Sequence, residues 1–275
     1  ENALEFADKG LIKNAHNIKE RGLKVYILEK MARIQEAKDL IEENLAVDTF
    51  DYVSMLEEAY LVPEQVDAIR KKVYCLTRNF HETYLMAARD FAEYGAYDHA
   101  VDTLRACGEN WPMLKYYEAF YLGKINADPA EITKVLKEAE QCSTDYCFPN
   151  KLEDILVLAY AQNQNPDGAN AYYYMGNLYY DKLQYEEAVK CWETSAEKNP
   201  EFAITWRNLS LAYYNKEKNA EKAKEAMEKA AALAPNRSKN TSLNWISCTE
   251  SWKCQFGNVS KDMKKQRIFS CSVMI

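Results

Sequence analysis

The sequence predicts an all-α fold built from repeated helical units, and three observations predict it. First, the stretch from Ala169 to Pro235 states one pattern twice: Tyr172, Met175, Gly176, Tyr179, Ala188, Trp192, Ser195 and Pro200 are answered by Trp206, Leu209, Ser210, Tyr213, Ala223, Met227, Ala230 and Pro235. The offset is 34 residues over the first half and 35 over the second, which places a one-residue insertion near Asn219. Second, 8 Gly and 7 Pro in 275 residues, with 48% apolar residues, suit an ordered and mostly helical chain. Third, apolar residues recur at helical intervals, as in Leu23, Ile27, Ile34, Leu40 and Ile41.

The repeated string of aromatic, large apolar, small, aromatic, then Ala, aromatic, small and Pro resembles the tetratricopeptide repeat. The resemblance implies units of two antiparallel helices, stacked as an α-α superhelix, a right-handed solenoid that binds a partner along its concave face. Helix axes approach to about 8 to 10 Å, and the closer distances need side chains no larger than Ala or Ser at the crossing. Gly176 forfeits about 1 kcal/mol of helix propensity relative to Ala, so its place in a strong helix marks such an approach. Ala188, Ala223 and Ala230 read the same way. Tyr172, Tyr179, Trp192, Trp206 and Tyr213 supply flat area between units. Pro200 and Pro235 end the second helices, because Pro cannot continue a helix.

Taken in order, Ala3, Leu4 and Ala7 open a helix that matches the second half of a unit, since Ala3 and Ala37 lie 34 residues apart. Helices are expected over 18–32 and 34–46, with Asp48 and Thr49 where the unit would end. A further pair is expected over 50–60 and 63–76, with Pro63 in a first turn. Tyr84, Ala88, Phe91, Gly95, Ala100, Leu104 and Cys107 fit another unit. Trp111 and Pro112 start a helix to Gly123, and Asp128 with Pro129 reads as a cap and first turn of a helix to Gln141. Residues 142–150 form a connector, and Pro149 is expected to start the helix that reaches Asn163. Ala100 to Ala188 is 88 residues, not a multiple of 34, so the middle units are divergent or carry extra helical turns.

The domain reading is one helical solenoid over 1–237, clearest at 81–110, 169–202 and 203–237, followed by an irregular or divergently capped tail over 238–275. Asp145-Tyr146-Cys147-Phe148-Pro149, Tyr172 through Lys182, Arg207-Asn208-Leu209 and Tyr214-Asn215-Lys216 are similar to strings in large bacterial tetratricopeptide proteins. That resemblance implies an upstream β-rich domain similar to carbohydrate-processing sandwiches. It carries over no catalytic residue.

The net charge of −7 divides into +5 from Asn236 onward and −12 before it. An acidic body argues against nucleic acid, whose binding depends on cationic contacts to phosphate. No run of about 18 apolar residues indicates a membrane span, and the start lacks a signal-peptide pattern. Eight Cys residues show no framework spacing, and Cys75, Cys107, Cys142, Cys147 and Cys191 lie in segments read as helical, so reduced, packed thiols in a cytoplasmic protein are expected. Asn-x-Ser/Thr triplets begin at Asn208, Asn236, Asn240 and Asn258; with Asn208 inside a helix they read as chance.

Cys142 and Cys147, and Cys248 and Cys254, lack Cys-x2-Cys spacing, and His16, His81 and His99 stand alone in the sequence, so no metal and no cofactor is expected. There is no Gly-x-Ser-x-Gly elbow and no phosphate-cradling Gly-rich loop, so the chain is not expected to be an enzyme. Recognition remains. In the repeat, the resemblance places first-helix positions on the concave wall, which puts Asn170, Tyr173, Asn177, Tyr180 and Asp181 there in one unit. Ile204, Arg207, Leu211, Tyr214 and Asn215 follow in the next, and Glu82, Leu85, Arg89 and Glu93 in the unit around Tyr84. The partner-binding residues are accordingly Asn170, Tyr173, Asn177, Tyr180, Asp181, Arg207, Leu211, Tyr214 and Asn215. Their amides, guanidinium and phenols suit an extended protein or peptide ligand. Packing of Tyr180 and Tyr214 on the neighbouring unit is the competing use. Some relatives clamp a chaperone's C-terminal carboxylate with Lys and Asn, but Tyr173 and Leu211 stand where a Lys and an Asn are needed. A second reading is an accessory domain of a carbohydrate-active protein, with Tyr173, Tyr180 and Tyr214 stacking on sugar rings. If the register is right, Ala188→Leu overpacks the helix crossing and lowers stability by about 1 to 3 kcal/mol in urea denaturation.

Overall fold

A computed structural model describes residues 2–233, and among them the chain forms fourteen α-helices, one 3₁₀ turn (Pro63–Gln65) and no strand. The helices are α1 (Asn2–Lys13), α2 (Ile18–Lys30), α3 (Ile34–Val47), α4 (Tyr52–Leu61), α5 (Val66–Thr77), α6 (His81–Glu93), α7 (Tyr97–Ala106), α8 (Pro112–Lys124), α9 (Pro129–Gln141), α10 (Leu152–Gln164), α11 (Asn170–Asp181), α12 (Tyr185–Lys198), α13 (Ala203–Asn215) and α14 (Ala220–Leu233). Pro235, Arg237, the tail and the triplets at Asn236, Asn240 and Asn258 lie outside the described residues.

Successive helices pack on one another as pairs, α2 with α3, α6 with α7, α8 with α9, α11 with α12 and α13 with α14. Each of these pairs turns through one residue of positive φ: Ala32, Gly95, Asn126, Leu183 and Lys218. In four of the turns one backbone bond reaches back five residues: Arg33 to Leu28 (2.9 Å), Ala96 to Phe91 (3.0 Å), Ala127 to Leu122 (3.0 Å) and Gln184 to Tyr179 (2.8 Å). It satisfies a carbonyl that the helix end would leave open. In the last turn Asn219 N–H reaches six residues back, to Tyr213 O at 3.0 Å. The inserted residue read near Asn219 is therefore absorbed in the α13–α14 turn.

The small residues sit at the crossings. Ala188, Ala223 and Ala230 have no exposed surface, and Ser210 Oγ donates to Ala223 O at 2.6 Å across the α13–α14 contact. One core runs from Met55 to Ala226, and a smaller one joins Val25, Leu28, Ala37, Leu40, Ile41, Leu61 and Val62. The apolar face of α2 thus runs through Val25 and Leu28, with Leu23 and Ile27 half-buried beside it; Ile34 is exposed.

The 88-residue interval has a definite cause. After the α8/α9 pair the chain inserts α10, which packs on α8 and α11 and brings no second helix of its own. Its start is fixed by a carboxylate: Asp154 Oδ2 accepts from Asn150 and Lys151 N–H at 2.9 Å, and Asp154 Oδ1 accepts from Tyr117 Oη at 2.7 Å. Because that cap lies at Asp154, the helix begins at Leu152, and Pro149 belongs to the preceding connector. Glu140, on α9, holds the next start. Its Oε2 accepts from Ala169 and Asn170 N–H at 3.0 Å, and its Oε1 accepts from Tyr116 Oη at 3.1 Å. Cys107 and Cys142 follow helix ends and Cys147 lies in the connector, so of the five described cysteines only Cys75 and Cys191 are helical; all five are unbridged. Burial pushes the Cys147 thiol up to about 12, which keeps it protonated. No helix among the described residues is long and apolar enough to cross a membrane.

A Cβ on Gly176 would lie 2.5 Å from Cδ1 and Nε1 of Trp192. The indole is 3% exposed and cannot retreat. Gly176→Ala would gain up to about 1 kcal/mol of helix propensity. Overpacking of about 1 to 3 kcal/mol outweighs that gain, so the variant melts below the parent chain in calorimetry.

Candidate partner-binding surface

The expected binding residues lie on α11 and α13 or at their ends, and the chain treats them unequally. Asn170 is 7% exposed, and its Nδ2 donates to Glu140 O at 3.1 Å as part of the α11 start. Tyr173 is 5% exposed, its ring 5.2 Å from Tyr174 and 4.9 Å from Phe202. Neither offers a face to an incoming chain, because the previous unit covers one and the following loop covers the other.

Asn177 is half-buried and acts as a junction. Its Oδ1 accepts from Trp192 Nε1 at 3.1 Å on α12 and from Asn208 Nδ2 at 3.0 Å on α13. The same indole N–H also approaches Tyr173 O at 3.2 Å. Burial raises the Tyr173 hydroxyl above its ordinary value, and Asn177 and Arg207 beside it oppose that shift. Asn177 thus lies against the Tyr173 hydroxyl, and the charge of Arg207 is near enough to act on it. Arg207 is half-buried, and its Nη1 donates to Asn208 Oδ1 at 3.4 Å.

Tyr180 is half-buried between Tyr185, at 5.0 Å and edge-on, and Trp192, at 5.4 Å. Lys216 Nζ lies 3.6 Å from the Tyr185 ring centroid and 6.0 Å from that of Tyr180. Packing is thus one use of Tyr180. Leu211 and Tyr214 are half-buried; Asp181 and Asn215 are exposed, Asp181 paired with Lys182 at 2.9 Å and Asn215 O accepting from Lys218 Nζ at 2.7 Å.

The corresponding wall near Tyr84 is closed by charge. Leu85 is buried, Glu82 pairs with Lys151 at 3.2 Å, Arg89 with Glu153 at 2.6 Å and Glu93 with Lys19 at 2.8 Å. The last two pairs join α6 to α10 and to α2, each passing over an intervening helix. Tyr94 adds to this closure, since a Cβ on Gly22 of α2 would lie 2.7 Å from its hydroxyl.

Sequence reasoning missed Asn208, Tyr185, Phe202 and Lys216. Asn208 was read as part of a resemblance string and as a glycosylation triplet, yet it is the donor that ties α13 to Asn177. The aromatic at Tyr185, directly after the turn, was the available signal for a ring against Tyr180.

The tetratricopeptide-repeat family model, described as TPR repeat, matches residues 176–216. Among solved structures, the chain is similar to MamA at 20% identity over 60% of this chain and 85% of that one, with a TM-score of 0.32. It is similar to YrrB, described as a TPR protein with an unusual peptide-binding site, at 17% identity over 86% of this chain and 95% of that one, with a TM-score of 0.31. Residues 41 to the end of MamA from Desulfovibrio magneticus RS-1 match at 16% identity over 58% of this chain and 97% of that one, with a TM-score of 0.29. The family match runs from within α11 to just past the end of α13, and the same helix pair with the same left-handed turn recurs on both sides of it. Over residues 176–216 the chain is therefore similar to the tetratricopeptide repeat.

Proposed function

We propose that the chain is a non-catalytic protein-interaction scaffold and that α11 and α13 carry its binding face, where a peptide or protein segment lies across Asn177, Tyr180, Asp181, Arg207, Leu211, Tyr214 and Asn215. The observation that carries this reading is Arg207. Beside Tyr173 and Asn177, its guanidinium donates to Asn208 and enters no ion pair among the described residues. Lys19, Arg89 and Lys151, the cations of the earlier wall, are each held by a carboxylate. A planar guanidinium with open donors suits a carboxylate or successive backbone carbonyls of an extended ligand. The flanking phenols add apolar area.

The groups on this face support the binding reading: amides, phenols, an aliphatic side chain, a guanidinium and one exposed carboxylate, which are groups suited to recognition. Sugar stacking has less to support it, since Tyr173 is buried and Tyr180 already meets two rings. The solenoid over 1–237 and a β-rich domain upstream belong to the same proposal as its setting.

Capture of partners from source-cell lysate by the full chain and by Arg207→Ala tests the face. Recovery is expected to fall at least about tenfold in the variant, as for a central interface arginine. Its melting temperature should match the parent, because the side chain makes one weak bond. Equal recovery by both forms would overturn the reading. Asn177→Ala is not an equivalent test: removing the acceptor for Trp192 and Asn208 lowers stability by about 1 kcal/mol or more, seen as an earlier melt before any partner is added.

A further inference from the structure

Three helices distant in sequence converge on one imidazole. One oxygen of Glu29 (α2), one of Glu57 (α4) and a ring nitrogen of His99 (α7) lie within 4.8 Å of one another. His99 and Glu57 are each 2% exposed. The ring is fixed on three sides: Tyr60 stacks on it with centroids 3.6 Å apart and planes 7° from parallel, while Tyr26 and Phe91 meet it edge-on at 5.3 and 5.6 Å.

The two nitrogens differ. Nδ1 lies 3.1 Å from Glu57 Oε2, a hydrogen bond. Nε2 lies 3.6 Å from Glu29 Oε2 and 3.9 Å from Asp98 Oδ2, too far for one. Two ligand atoms around a shared tetrahedral metal, each about 2.0 to 2.2 Å from it, stand roughly 3.3 to 3.6 Å apart. Nε2 and Glu29 Oε2 have that separation.

The charges point the same way. Glu29 Oε2 and Glu57 Oε1 are buried with no hydrogen-bond partner among the described residues. Lys30, 3.3 Å from Glu29 Oε1 and 3.7 Å from Asp98 Oδ2, supplies one positive charge for three carboxylates. Buried carboxylate oxygens without a donor or counter-charge are costly.

We propose that this cluster binds a divalent transition-metal ion of the zinc class through His99 Nε2 and Glu29 Oε2, with Asp98 closing the site and Glu57 orienting the ring from Nδ1. A nitrogen and carboxylate donor set suits such an ion better than calcium or magnesium. Glu57 then accepts a hydrogen bond from Nδ1–H, which keeps the proton on that nitrogen and leaves the Nε2 lone pair for the metal. The Asp98 side chain is 56% exposed and gives the ion a route from solvent. Lys30 swings out on its flexible stem as the ion enters. The bound ion would clip α2 and α7 together, joining the small amino-terminal core to the main one.

The test is titration of the chelator-treated full chain with Zn2+, followed by calorimetry and by melting, and with Co2+ followed by absorption. One Zn2+ should bind per chain and raise the melting temperature. The Co2+ form should show visible ligand-field bands without the near-ultraviolet band of thiolate ligation. Glu57→Gln should weaken binding about 10- to 100-fold, Glu29→Gln should weaken it at least as much, and Lys30→Met, which removes a competing cation, should strengthen it. His99→Gln should abolish it; if that variant does not fold, Glu29→Gln and Lys30→Met decide. No Zn2+ binding by the folded parent chain, equal affinity in Glu29→Gln, or a thiolate band would each overturn the proposal.

Discussion

The indole of Trp192 lies where a side chain on residue 176 would be, and both the packing and the surface of the carboxyl-terminal units follow from that. Gly176 lets α11 and α12 approach until the ring lies within contact of the backbone. The ring then brings its N–H to Tyr173 O and Asn177 Oδ1, and Asn177 takes a second donor from Asn208 on α13. One tight crossing thereby fixes an amide in the middle of the next unit's first helix. The polar groups around it are placed by core packing rather than by their own flexible stems, and such support gives a surface its definition before a ligand arrives.

Two regions of the solenoid treat the same repeat positions differently. Around α6 the first-helix side is bound up in ion pairs that pass over α4 and α8, and Tyr94 fills against Gly22. Exposed pairs of this kind contribute little energy singly, but they occupy the groups that would otherwise meet a ligand. Around α11 and α13 the described ion pairs are local to one helix or turn, and the guanidinium of Arg207 keeps its donors. The repeat thus supplies a wall, and the residues on it decide whether that wall is sealed or open.

The sequence was most legible where structure is local and periodic. Gly176, Ala188 and Ala223 announce their crossings because a small residue in a strong helix has few other reasons to be there, and the 35-residue offset located the longer α13–α14 turn. Legibility failed where contacts skip a unit. The repeat assigns Asn170 and Tyr173 to the inner wall, yet whether they are covered depends on Glu140 and Phe202, which come from elsewhere. The helix α10 and the broken period were both legible, but its start was read at Pro149 instead of Leu152, since that start rests on Asp154 meeting a tyrosine from α8. His99 stood alone by spacing because its companions arrive from α2 and α4, a convergence that only the fold creates.

The carboxylate of Glu140 has a consequence for how the array holds together. A solenoid whose units touch only their neighbours behaves as a one-dimensional chain of couplings, and an irregular insertion is its natural weak link. Here the link is bypassed: Glu140 reaches from α9 past α10 to the amides of Ala169 and Asn170, and Gly168 leaves the room it needs. The first turn of α11 is complete only when α9 is in place. The start of α11 is thereby tied to the pair before the insertion, so the break in the repeat is bridged by hydrogen bonds rather than left open.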